Sequence, residues 1–90
     1  MHFVYILVCL QNGRSYVGHT NDLVRRYQCH RAGSTRTTRE KLVEPVMAHG
    51  EACDSRAEAM RRERYFKAGS GHRLKQELVI EARKLFASAR

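Results

Sequence analysis

The dipeptide Asn12-Gly13, set between two runs rich in β-branched and aromatic residues, narrows the fold of this chain more than any other feature. The run from His2 to Leu10 reads as a strand buried on both faces, and Ser15 to His19 reads as the strand returning beside it. Asn-Gly favours a two-residue hairpin turn, because type I′ geometry needs positive φ at both central positions. Such a turn sets Cys9 opposite Tyr16 and Leu7 opposite Gly18. Residues directly opposite share a face, so Tyr5 and Tyr16 point the same way.

Beyond the hairpin the periodicity changes to helical. Thr20 or Asn21 can cap a helix beginning at Asp22, on which Leu23, Arg26, Tyr27 and His30 form one stripe. Polar Arg and His on the face where Leu and Tyr pack is the kind of local conflict that marks a site. Gly33-Ser34 ends this helix, and Thr35 to Lys41 reads as a polar, basic loop. Leu42 to Ala52 holds a second extended segment, in which Pro45 belongs at a strand start or on an edge because it has no amide hydrogen to donate. Asp54 or Ser55 then caps another helix, and Ser55-x-x-Glu58 has capping-box spacing. Ala59, Met60, Glu63 and Phe66 line one face of it, and Gly69 terminates it. Ser70 opens a last helix with Leu74, Leu78, Val79, Ala82, Leu85 and Phe86 as its apolar stripe. The order β-β-α-β-α-α describes one α+β domain over residues 1–90, a small, mostly antiparallel three-stranded sheet flanked by helices. Ninety residues is near the lower limit for an unaided core.

Composition excludes some classes and favours others. No apolar run approaches the ~20 residues of a membrane span, and the short stretch Phe3–Leu10 reads as a strand rather than a signal peptide. The three cysteines, Cys9, Cys29 and Cys53, are odd in number and widely spaced, which fits a reducing cytoplasm better than a disulfide framework. His49 and Cys53 would share a face on a helix, and Cys29 adjoins His30, but no second ligand pair has the spacing of a structural zinc site. Seventeen Lys and Arg against nine Asp and Glu give a net charge of +8. An excess of that size on a small domain favours polyanion partners such as nucleic acid or an anionic membrane surface, with simple solubility and RNA binding still open on charge alone.

Two residues stand out chemically. Glu63 is a carboxylate between Met60 and Phe66 on an inward stripe, and an unpaired buried charge is costly. Magnesium uses one or two protein carboxylates, keeps several waters and takes phosphate oxygens as further ligands, so one glutamate suffices for a weak site. The competing reading is an ion pair with Lys67 one helical turn on, worth about 0.2–0.5 kcal/mol. Arg26 offers a guanidinium that can give two parallel hydrogen bonds to phosphate oxygens. A solvated helix surface is its alternative and suits Arg25 better. Gly18, having no side chain, leaves space for a substrate backbone or a facing residue.

Phe3-Val4-Tyr5, Tyr16-Val17-Gly18, Leu23-x-x-Arg26-x-x-x-His30 and Ala59-Met60-Arg61-Arg62-Glu63-x-x-x-Lys67 follow one another with natural spacings. Together they resemble the GIY-YIG nuclease family over nearly the whole chain, from Phe3 to about Val79. The likeness is to the small stand-alone bacterial members and, more distantly, to the amino-terminal nuclease domain of the excision-repair protein UvrC. The resemblance implies a metal-dependent DNA endonuclease acting in repair, recombination or DNA processing, on single-stranded, duplex or branched DNA, alone or with a larger repair partner. It makes Glu63 the ligand of a single Mg²⁺ or Mn²⁺ and Arg26 the phosphate-binding cation. It directs the Tyr5 and Tyr16 hydroxyls at the substrate, with Tyr16 favoured as the base that activates water and Tyr5 as a positioning group. His30 would accept a proton or orient a phenol, and Gly18, His19, Arg36, Arg39 and Lys67 would line the substrate. An unperturbed tyrosine is only about 0.1% ionised at pH 7, so a cation nearby must help that proton leave. Two departures stand against the family pattern. The first tripeptide lacks its leading glycine, and the asparagine beyond the glutamate helix is missing, which implies looser positioning of the substrate. The rival reading is a non-catalytic nucleic-acid binder on the same fold, contacting phosphates through Arg36, Arg39, Arg61, Arg62 and Arg64.

Overall fold

The computed structural model describes residues 1–32 and 45–88. Expectations for Gly33-Ser34, the loop from Thr35 to Lys41, and the substrate contacts Arg36 and Arg39 lie outside them. Three strands, β1 (His2–Cys9), β2 (Ser15–Thr20) and β3 (Pro45–Cys53), form one antiparallel sheet with β1 in the centre. The helices are α1 (Leu23–Arg31), α2 (Arg56–Phe66) and α3 (Gly69–Ser88). The expected α+β class and β-β-α-β-α-α order hold.

The hairpin register differs from the expected one by two residues. Tyr5 is opposite Gly18 and Leu7 opposite Tyr16, because four residues rather than two make the connection. The Cys9 N–H donates to Arg14 O at 2.8 Å and the Gly13 N–H to Cys9 O at 2.9 Å, with Gly13 at φ 74°. Asn12 contributes through its side chain, whose Oδ1 accepts from the Arg14 N–H at 2.9 Å. A two-residue slip leaves the period-2 alternation intact, so Tyr5 and Tyr16 still share a face. Pro45 opens β3, which is an edge strand among the described residues, as suits a residue without an amide donor.

Side-chain alternation along β1 gives the domain two cores. Val4, Ile6 and Val8 pack with Val17 against Phe66, Val79 and Ala82, which buries one sheet face under α2 and α3. Tyr5, Leu7 and Cys9 pack with Tyr16, Leu23, Tyr27 and Met47 on the other face, under α1. The Tyr27 hydroxyl donates to the Pro45 carbonyl at 3.0 Å and ties α1 to the start of β3.

Helix ends follow local chemistry with some displacements. Asp22 is itself the N-cap of α1, its carboxylate accepting from the Arg25 N–H, where Thr20 or Asn21 was expected. Ser55 caps α2 by accepting from the Glu58 N–H, while Glu58 reaches back to the Asp54 N–H, one residue earlier than in the standard box. Gly69, at φ 61°, breaks the chain between α2 and α3 and is the first residue of α3, ahead of the expected Ser70. The apolar stripes are narrower than periodicity implies. Met60, Leu74, Leu85 and Phe86 are exposed, while Ala59, Phe66, Val79 and Ala82 carry the burial. His49 and Cys53, which could share a face only on a helix, lie on β3, in line with the extended segment expected there.

Candidate active site

The central strand delivers Tyr5 and the edge strand delivers Tyr16 to the face covered by α1. His30, at the last turn of α1, is 1% exposed and drops between them. Its ring centroid is 5.7 Å from that of Tyr5 and 4.9 Å from that of Tyr16, and the two phenol rings are 6.2 Å apart. The Tyr5 hydroxyl and His30 Nε2 are hydrogen-bonded at 2.8 Å. Gly18 makes this packing possible: a Cβ there would lie 2.6 Å from the Tyr5 hydroxyl oxygen and 2.8 Å from Tyr16 Cε1. The empty position is filled by facing phenols.

Burial sets the protonation of this group. Desolvation pushes the Tyr5 pKa up to about 12, against the opposing pull of Arg26, so Tyr5 keeps its proton at neutral pH. Burial, followed by the charge of Arg26, lowers the His30 pKa below the ordinary histidine value, which keeps the imidazole neutral. One proton therefore lies between the two side chains. Arg26 is exposed, yet it approaches the phenols closely enough for their interaction to strengthen its own hold on the proton, Tyr5 contributing most. A polar groove of about 510 Å³, lined by Thr20, Asn21, Asp22, Arg25, Arg26 and Cys29, opens beside it. Arg25 thus shares with Arg26 a space that helical periodicity alone assigned to open solvent.

Glu63 belongs to the opposite face. His19 is paired with Val4 and follows Val17 by two residues, so it points toward α2 rather than α1. Its Nδ1 lies 3.7 Å from Glu63 Oε1, and Lys67 Nζ lies 3.8 Å from the same oxygen. Tyr5, Tyr16, Arg26 and His30 on one side, and His19, Glu63 and Lys67 on the other, therefore meet across β2 instead of within one cavity. β2 is an edge of the sheet among the described residues, and of the two groups Tyr16, Arg26, His19, Glu63 and Lys67 keep partial or full exposure beside it, whereas Tyr5 and His30 are buried.

The Glu63 carboxylate fits a hard divalent cation. The two nearest side-chain nitrogens, His19 Nδ1 and Lys67 Nζ, are beyond the 2.7–3.2 Å of a hydrogen bond, which leaves oxygen lone pairs open to a metal. No group of three or more His, Cys, Asp or Glu side chains able to hold a metal occurs among the described residues, so a cation here depends on water and substrate for most of its ligands.

The basic surface is smaller than the sequence implies. Arg62 gives two hydrogen bonds of 2.9 Å to the Glu51 carboxylate, which His49 Nε2 also meets at 2.8 Å. Its guanidinium lies over the rings of Tyr65 and Phe66. Arg62 is a strut between α2 and β3, its guanidinium engaged by Glu51 rather than free for a phosphate. Arg61 and Arg64 remain exposed.

Comparison with known proteins agrees with this geometry. The family model described as the GIY-YIG catalytic domain matches residues 1–76. The UPF0213 protein YazA of Bacillus subtilis is 38% identical over 85 residues, covering 92% of this chain and 81% of the relative. A UPF0213 protein of Bacillus velezensis is also 38% identical over 85 residues, with 92% and 81% covered. One from Halobacterium salinarum is 40% identical over 63 residues, with 70% and 80% covered. No solved structure gives a significant match. With the family model spanning more than half its length and relatives this similar, the chain belongs to the GIY-YIG family of nuclease domains.

Proposed function

We infer that this chain is a divalent-metal-dependent endonuclease that hydrolyses phosphodiester bonds in DNA, serving repair, recombination or DNA processing in the cytoplasm. The observation that carries the reading is the placement of two chemically different groups on opposite sides of one edge strand. In-line displacement at phosphorus needs the attacking and leaving oxygens on opposite sides of the reacting atom. A phosphate at the β2 edge has the phenols and Arg26 on one side and Glu63 on the other.

Arg26 is suited to the non-bridging oxygens, since its fork matches phosphate and its exposure leaves it accessible. Tyr16 is half-buried, with its ring tilted against the His30 imidazole, so it is the residue whose phenolate, once formed beside Arg26, would take a proton from water. Tyr5, with its pKa raised to about 12, orients His30 and does not act as a base near neutral pH. Glu63 would hold the cation, which when bound supplies charge neutralisation at the phosphate and at the departing oxygen. Lys67 and His19 flank that carboxylate and would help to receive the anionic substrate.

A paired assay of DNA binding and single-turnover cleavage tests the reading. Labelled single-stranded, duplex and flap DNA are offered with Mg²⁺ or Mn²⁺ to the native chain and to Glu63→Gln. The substitution keeps size and helix propensity but removes the charge that holds the metal. The variant is expected to fold, to bind DNA at least as tightly without metal, and to cleave none of it. Cleavage surviving in the variant rejects the metal site. Absence of cleavage by the native chain on every substrate favours the binder.

A further inference from the structure

We propose that His19 is a second protein ligand, so that its Nδ1 and the Glu63 carboxylate together hold a first-row transition-metal cation in preference to Mg²⁺. The proposal rests on the nuclease reading and specifies its metal. Nδ1 of His19 is buried and has no hydrogen-bond partner among the described residues. A buried polar atom without a partner is uncommon enough to call for one. The charged atom facing it is Glu63 Oε1, at 3.7 Å, too far for a hydrogen bond. It is a span that two ligand bonds of roughly 2.1 Å each can bridge.

The donor set decides the class of cation. Mg²⁺ binds oxygen and surrenders its waters reluctantly, whereas imidazole nitrogen is a good ligand for Co²⁺, Ni²⁺ and Zn²⁺. Adding a nitrogen donor to a lone carboxylate therefore raises affinity for those ions much more than for Mg²⁺. His19 sits on β2, whose pairing with β1 fixes its direction, and Lys67 Nζ stands 3.8 Å from the carboxylate on a side chain 55% exposed. That flexible ammonium can move into solvent when a cation enters. With two protein ligands, the remaining positions belong to water and phosphate oxygens.

The test is calorimetric titration of the full chain with Co²⁺ and with Mg²⁺, for the native protein, His19→Ala and Glu63→Gln. Proton NMR of the Co²⁺-loaded native chain provides a readout that needs no variant. The native chain is expected to bind Co²⁺ at least tenfold more tightly than Mg²⁺ and to show one strongly shifted exchangeable imidazole proton, from Nε2–H of a ring ligated through Nδ1. His19→Ala is expected to lose at least tenfold in Co²⁺ affinity, to keep Mg²⁺ affinity within about twofold, and to lose the shifted proton. If His19 is only a weak ion-pair partner of Glu63, its removal frees the carboxylate. Co²⁺ affinity then stays level or rises and no shifted imidazole proton appears, which overturns the proposal. In that case loss of all metal binding in Glu63→Gln keeps the nuclease reading, whereas retention of metal binding in Glu63→Gln removes both.

Discussion

The two motif tyrosines differ in ways that the hydroxyl-deleting substitution exposes. Tyr5 is fully buried and bonded to His30 Nε2 at 2.8 Å, so Tyr5→Phe strands a buried ring nitrogen as well as removing a phenol. It is expected to cost roughly 1–3 kcal/mol of stability and to slow cleavage through a misplaced His30. Tyr16→Phe is expected to leave stability within about 0.5 kcal/mol and to flatten the alkaline rise of the single-turnover rate. Chemical denaturation and pH–rate profiles of both variants check this. A Tyr16→Phe enzyme with the native rate and pH profile removes Tyr16 as the base. The shared face of these tyrosines was legible in the sequence because period-2 alternation survives the two-residue slip in the hairpin. The role of Gly18 was legible only as a choice, since substrate and side chain compete for the same gap and only coordinates show that Tyr5 fills it.

Among the elements, α2 is the one whose placement was hardest to foresee. Its cap and its inward Ala59 and Phe66 follow from spacing, yet spacing does not say which face of the sheet it covers. Glu63 was therefore identifiable as a residue but not as the neighbour of His19. The same limit hid the Arg62–Glu51–His49 network: His49 and Glu51 stand two apart on β3, but no spacing brings Arg62 of α2 to them. One alternation was open to inspection: His19 follows Val17 by two, so an apolar Val17 already directs His19 toward the main core. The seam between α2 and α3 depends on Gly71, a residue no motif singles out. A Cβ there would collide with the Tyr65 carbonyl and ring. Gly71→Ala is expected to cost about 2 kcal/mol or more, roughly 10 °C of Tm in a domain this size. Thermal unfolding measures it, and an unchanged Tm would show that the two helices do not need so close an approach.

For the molecule as a whole, the net charge of +8 sets the response to salt. Arg25, Arg26, Arg61 and Arg64 are all exposed, and each phosphate they neutralise releases counterions. Affinity of Glu63→Gln for duplex DNA is expected to fall steeply with salt, with a log–log slope equivalent to several phosphate contacts. A titration flat from low to moderate salt would remove the phosphate-dominated interface. The arrangement of the strands also governs when such a chain becomes active. β1 finds β2 across four residues, but it finds β3, and with it α2, only by closing a loop of some tens of residues, a slower and later event. The phenols and Arg26 can assemble early, while the carboxylate arrives last, with the completion of the sheet. On the proposed reading, a chain that has not yet closed β3 against β1 would lack the carboxylate beside His19, so cleavage would report a finished sheet.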